Sequence, residues 1–158
     1  MSQKNKTTLK AEPGQLDTTL TRELDAPREL VFRTLCDGDA IPKYWNEDSH
    51  VEQFDARTGG SWSIVVRPKN GWETKFHGVY HDVTAPERIV RTFEMQPGKV
   101  VLETYNFEDL GGRTKMTIQS IHQSVADRDT ILKYDFARYA GESHDRLEAI
   151  LEKELELA

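Results

Sequence analysis

Between residues 51 and 122 the chain is interrupted at short, regular intervals by turn-forming residues: "TGG" (58–60), "PKNG" (68–71), "TAPE" (84–87), "QPGK" (96–99) and "LGGR" (110–113). The segments between them are strand-like and too closely spaced for crossover helices, so they must run as an antiparallel meander. Parallel βαβ units are thereby excluded, and with them the usual setting of a glycine loop that cradles phosphate. Gly59 and Gly60 are followed by neither Lys-Ser/Thr nor a helix pattern. They read as hairpin glycines.

Register follows from asking which pairing gathers the apolar residues on one face. A three-residue loop Thr58-Gly59-Gly60 sets Ala56 opposite Trp62 and Phe54 opposite Ile64. A two-residue Gly111-Gly112 turn sets Glu108 across from Lys115, Phe107 by Met116, Tyr105 by Ile118, Glu103 by Ser120 and Val101 by His122. A four-residue loop at 96–99 then pairs Thr92 with Glu103 and Val90 with Tyr105, which leaves Arg91 and Phe93 on the opposite face. Gly78, inside "WETKFHGVYHDV", marks a bulge or the close approach of another element.

Helical signals flank the meander. A first strand over 16–26 ends at "DAPREL", where Asp25 and Pro27 give a capping side chain and a proline in the first helical turn. A second short helix follows, with Trp45 near its end. After Ile121 the period changes to 3.6, and Ser124-x-x-Asp127 supplies a capping pattern. A single helix of about 30 residues, or roughly 45 Å, carries Leu132, Phe136, Tyr139, Leu147 and Leu151 on one stripe. Gly141 within it suggests that a large side chain or a ligand approaches there. Residues 1–15 are polar and aperiodic and read as a loose tail, ahead of one domain over 16–158. The expected architecture is α+β: a curved antiparallel sheet wrapped around a long C-terminal helix, with a cavity between them.

The balance of charge removes other classes. The net charge is −6 with no dense Lys/Arg cluster, so nucleic acid is not an expected partner. Mean composition is that of a soluble domain, at 37% hydrophobic and 30% charged residues, and no apolar run is long enough for membrane insertion. A signal-peptide core is not apparent, and the single cysteine, Cys36, fits a reduced cytoplasmic setting.

The stretches "LDAPRELVFRTLCDGDAIPKYW", "FDARTGGSW", "FHGVYHDVTAPERIVRTFEM", "FEDLGGRTKMTI" and "SHDRLEAIL" resemble the family named for the heat-shock-protein ATPase activator and its bacterial homologues. That family lies within the START-like (SRPBCC) helix-grip superfamily, and the similarity covers about residues 16–152. It implies a helix-grip fold with a hydrophobic ligand cavity. The superfamily includes lipid carriers, hormone receptors and polyketide cyclases, so no single activity follows. The eukaryotic co-chaperone carries an additional N-terminal chaperone-binding domain. With about 15 residues ahead of the first motif here, direct chaperone activation is not expected. Where many relatives have Gly-Met and a second glycine in the last helix, this chain reads "YDFARYAGES", so aromatic bulk is expected to narrow the cavity.

The leading expectation is a small hydrophobic or aromatic molecule held by Trp45, Phe54, Trp62, Ile64, Phe76, Tyr105, Phe107, Met116, Ile118, Leu132, Phe136 and Tyr139. An alternative is a cyclase- or hydrolase-type enzyme in which Glu103, in an apolar cavity, and His122 form an acid–base pair. A third is a module that docks on a chaperone or regulator. No metal or organic cofactor is expected. His77 and His81 are four apart, which on a strand separates them by about 13 Å.

Overall fold

In the computed structural model, which describes residues 5–157, eight strands form one antiparallel sheet in the order β1-β2-β8-β7-β6-β5-β4-β3. The strands are β1 (Thr8–Lys10), β2 (Asp17–Leu24), β3 (Ser49–Phe54), β4 (Ser61–Val66), β5 (Thr74–Thr84), β6 (Arg88–Glu94), β7 (Val100–Asp109) and β8 (Thr114–Ile121). Helices α1 (Arg28–Leu35) and α2 (Ile41–Tyr44), joined by a 3-10 turn at Gly38–Ala40, connect β2 to β3. Helices α3 (Val125–Leu132) and α4 (Phe136–Leu157) close the chain. The core lies between the concave face of the sheet and these helices, around Leu20, Leu24, Val31, Ile41, Trp62, Ile64, Phe107, Met116, Leu147 and Leu151.

The Gly111-Gly112 turn is as expected. Both glycines have positive φ, and Glu108–Lys115, Phe107–Met116, Tyr105–Ile118 and Glu103–Ser120 are cross-strand pairs. Two other registers differ. Phe54 pairs with Trp62, and Val51 rather than Phe54 faces Ile64, because a bulge between Val51 and Gln53 shifts β3 and residues 55–60 form the loop. Gly59 is at φ 89°, its N–H donates to the Tyr80 carbonyl, and a Cβ on Gly60 would sit 2.0 Å from the Asp55 carbonyl oxygen. The paired glycines therefore fold the loop back and seal it onto β5.

At the β6–β7 connection Glu94 pairs with Val100, so the loop has one residue more than expected. Arg91 then faces Glu103, Ile89 faces Tyr105, and Phe93 faces Val101. One residue of slip exchanges the two faces of the strand. Arg91 and Phe93 move to the concave side, while Thr92 and Val90 move to the outer one.

The terminal elements also depart from expectation. Residues 1–4, part of the expected loose tail, lie outside the described residues. Thr8–Lys10 of that tail instead forms the edge strand β1, pairing Leu9 with Leu20, because Leu9 finds a place against the core. Asp25 does not cap α1. Its carboxylate accepts from Arg113 Nε at 2.8 Å, and Pro27 stands at the N-cap. Ser124 does cap α3, accepting from the Asp127 N–H. The expected single C-terminal helix is broken at 133–135, where Asp135 takes φ 56° and the chain restarts as α4. No large group crowds Gly141. A Cβ there would meet Thr7 at 3.9 Å, an ordinary contact.

Candidate ligand site around Arg91

The slip of β6 places a charged side chain among the aromatic residues of the interior. Arg91 is only 8% exposed, yet it is charged. Its guanidinium lies over the Trp62 ring at 4.3 Å, with Tyr105 at 5.4 Å and Trp45 at 5.8 Å. Nε donates to Glu103 Oε1 at 2.9 Å, and Nη2 donates to the Tyr105 hydroxyl at 3.2 Å. Burial disfavours the charge, but the surrounding oxygens of Tyr105, Glu103, Tyr80 and Tyr44 more than restore it, so Arg91 stays firmly protonated. Conversely, burial pushes the Tyr44, Tyr80 and Tyr105 phenols up, against the pull of Arg91, and they remain neutral hydroxyls. Burial also raises the Cys36 thiol to about 11, so it is not a ready nucleophile.

Around this cation sits an aromatic cage. Trp45, at the C-terminal end of α2, stacks on Phe93 at 6.2 Å and leans on Trp62 and Phe76 at 6.0 and 5.5 Å. Phe93 in turn touches Trp62 and Phe76 at 5.7 and 5.5 Å. The floor is built by strands, because Trp62, Phe76, Arg91, Phe93 and Tyr105 alternate inward along β4 to β7. Above it lies Trp45, on the short connection between α2 and β3. Arg146 of α4 holds that connection by donating to the carbonyls of Tyr44 and Trp45 at 3.0 and 2.8 Å. Meanwhile α4 itself packs on β1, β2, α1 and α2. Trp45, Phe76 and Phe93 therefore remain half-buried.

Of the residues expected to line a site, Trp45, Trp62, Phe76 and Tyr105 come together here. Phe54 lies beside the cage, edge-on to Tyr80 at 6.1 Å. Ile64, Phe107, Met116 and Ile118 are fully buried core, with Phe107 against Phe32. Phe136 packs at the margin of the core, Leu132 is half-buried outside it, and Tyr139 is 58% exposed, turned out by the helix break. Sequence reasoning missed Arg91, Phe93, Tyr44 and Tyr80. The signal for the first two was the bulk of Ile89 and Phe93, which together outweigh Val90 and Thr92 for the inner face.

Glu103 and His122, the residues of the alternative acid–base pair, each have a partner of their own in the structure. Glu103 is satisfied by Arg91 rather than Thr92. The buried His122 lies past the end of β8, its backbone N–H donating to the Leu16 carbonyl. Burial lowers its pKa, and nearby Arg128 adds to this. Two shallow depressions, of about 390 and 350 Å³, lie beside α1. One is bordered by Leu30 and Leu155 and the other by Phe32 and Pro86. Rings and the Arg91 guanidinium fill the caged interior.

A curved antiparallel sheet gripping a long terminal helix, with two short helices after the strand that enters it, defines a START-like helix-grip domain. The chain belongs to the activator of Hsp90 ATPase homolog 1-like family, whose model matches residues 25–152. Its fold is similar to that of the protein Ms6760 from Mycobacterium smegmatis, at 19% identity and a TM-score of 0.83, covering 92% of this chain and 96% of that one. A protein from Arthrobacter aurescens is 17% identical with a TM-score of 0.83, covering 92% and 91% of the two chains. Protein CV1439 from Chromobacterium violaceum is 24% identical with a TM-score of 0.73, covering 87% and 97%. A search of curated proteins gives no match. No helix among the described residues is long and apolar enough to cross a membrane.

Proposed function

We propose that this domain binds a small, largely apolar aromatic molecule between the sheet and α2, in place of the Trp45 ring. One observation carries the reading: a half-buried aromatic cage over β4 to β7 is covered by Trp45 of the connection after α2, while α4 packs chiefly on α2. Arg22 and Arg128 are buried among carboxylates and backbone carbonyls, whereas Arg91 sits among three aromatic rings with one carboxylate, the pattern of a few placed polar groups inside an apolar wall that suits a binding site. Rotation of Trp45 away from Phe93 would free both faces of a slot whose floor is Trp62 and Phe93. Burial of a ring there replaces one aromatic contact by another, so the cost of opening is small. Turnover is not part of this reading, because Glu103 is held by Arg91 and is not free to move a proton.

Native mass spectrometry of the purified protein, followed by extraction, tests it. A stoichiometric small molecule that is lost in Tyr105→Ala and in Trp62→Ala supports binding in the cage. A clean apo mass, unchanged after incubation with a broad metabolite and lipid extract, counts against it. Attention would then pass to protein partners and to the outer sheet face, where Val79, Leu102 and Ile121 are 40%, 39% and 36% exposed.

A further inference from the structure

The ligand reading leaves the chemistry of the ligand open, and the polar lining narrows it. We infer that the molecule taken by this site is an acid: a planar aromatic body carrying a carboxylate, which displaces Glu103 from Arg91. The inference rests on the binding reading above and concerns only what the site selects.

Arg91 presents five N–H donors in a fixed fork. Glu103 answers with one oxygen at Nε, and its Oε2 has no hydrogen-bond partner among the described residues. This is a monodentate contact where a guanidinium offers a bidentate one. Tyr105 takes a further donor through a neutral hydroxyl. The outer edge of the fork is therefore underused, although the group is buried and charged. Trp62 and Trp45 lie 4.3 and 5.8 Å from the guanidinium carbon and 6.0 Å from each other, so both crowd one side of it and a new partner reaches the free N–H donors from the remaining directions. A flat acid does so while its ring slides into the slot vacated by Trp45.

Other ligand classes fit less well. A cationic ligand would face Arg91 itself, and Glu103 is already engaged. A neutral aromatic molecule fills the slot but leaves the fork as it was. Glu103 acts as a resident stand-in for the ligand's carboxylate, keeping the guanidinium paired while the site is closed. On displacement its side chain has Ser120 directly across the strand pair as a polar neighbour.

The test is calorimetric titration of the full chain with two probes of matched shape, 1-naphthoate and 1-naphthylmethanol, at neutral pH. The acid is expected to bind about tenfold tighter or more, the margin of one charge-assisted hydrogen-bond pair. Glu103→Gln removes the competing charge but keeps an amide oxygen for Nε, and is expected to raise naphthoate affinity about tenfold without changing the alcohol. Arg91→Gln should abolish the preference for the acid, with near-ultraviolet circular dichroism verifying its fold. Equal binding of both probes, or naphthoate binding indifferent to Glu103→Gln, overturns the acid while leaving the binding site standing. Failure of both probes, in the parent and in Trp45→Ala, overturns the site as well.

Discussion

Arg91 on β6 and Glu103 on β7 stand directly opposite each other on the concave face, with Nε 2.9 Å from Oε1 and side chains only 10% and 14% exposed. The pair is buried inside a core that could have been wholly apolar. Removing one member strands the other charge, at a cost of about 3 kcal/mol or more, whereas replacing both by apolar residues is close to neutral. Glu103→Leu is therefore expected to lower urea stability by about that much, and Arg91→Met with Glu103→Leu to recover most of it. A cycle in which the two changes simply add would show that the pair is not coupled.

Two glycines make opposite demands. A Cβ on Gly78 would lie 1.9 Å from the Thr92 carbonyl oxygen and 2.8 Å from Trp62 Nε1, which itself donates to that carbonyl at 3.2 Å. Backbone has to move, so Gly78→Ala is expected to cost about 3 kcal/mol and to disturb the Trp62 wall of the cage. Gly141 sits in a helix interior with room for a methyl group. Gly141→Ala is expected to gain up to about 1 kcal/mol. Thermal melts of the two variants should move in opposite directions.

What was legible in the sequence divides along the same physical line. Turns with a chemical signature could be placed, as Gly111-Gly112 and the Ser124 cap illustrate. The helix-grip architecture followed from turn spacing and a change of period. Features that trade one local preference against another could not. Strand β6, "RIVRTFE", alternates acceptably in either register, and the correct one buries Arg91, which a rule of charged residues outward rejects. The bulge in β3 and the αL turn at Asp135 likewise depend on tertiary contacts. The candidate site was legible as a set of aromatic residues and illegible as a site, because its organising cation was assigned to the wrong face.

His144 makes stability depend on pH. It is 9% exposed on α4, and burial first, then the Arg22 guanidinium, lower its pKa to about 4 from an ordinary 6.5. The bonding agrees: Arg22 Nη1 donates to Thr7 Oγ1, leaving the Thr7 hydroxyl to donate to an unprotonated His144 Nδ1 at 2.7 Å. The unfolded chain takes up a proton as pH falls through about 6.5, and the folded chain does not until about 4, so stability is lost across that window. Denaturant titrations at pH 7 and pH 5 should differ by about 2 kcal/mol from this group. His122, whose pKa is also lowered, contributes with the same sign. In His144→Asn the difference should shrink by the His144 share. An unchanged pH profile in that variant would assign the dependence elsewhere.

The same network makes the N-terminal segment part of the fold. Arg22 is 2% exposed and is shared among Thr7, Asp145 and Glu148, at 3.2, 2.9 and 2.7 Å. Asn5 donates to the second oxygen of Glu148, while Arg128, also buried, donates to the carbonyl of Glu12 at 2.6 Å. Polar composition suggested a loose tail, yet its polar groups supply partners to two buried arginines, Thr7 to Arg22 and Glu12 to Arg128. Deleting residues 1–11 takes away β1 and Thr7, and leaves β2 as an exposed sheet edge. The expected loss is about 2–3 kcal/mol, with increased self-association at high concentration. Thr7→Val isolates the hydrogen bonds from the strand and should cost about 1–2 kcal/mol. Urea midpoints equal to that of the parent chain in both variants would return these residues to the status of a tail.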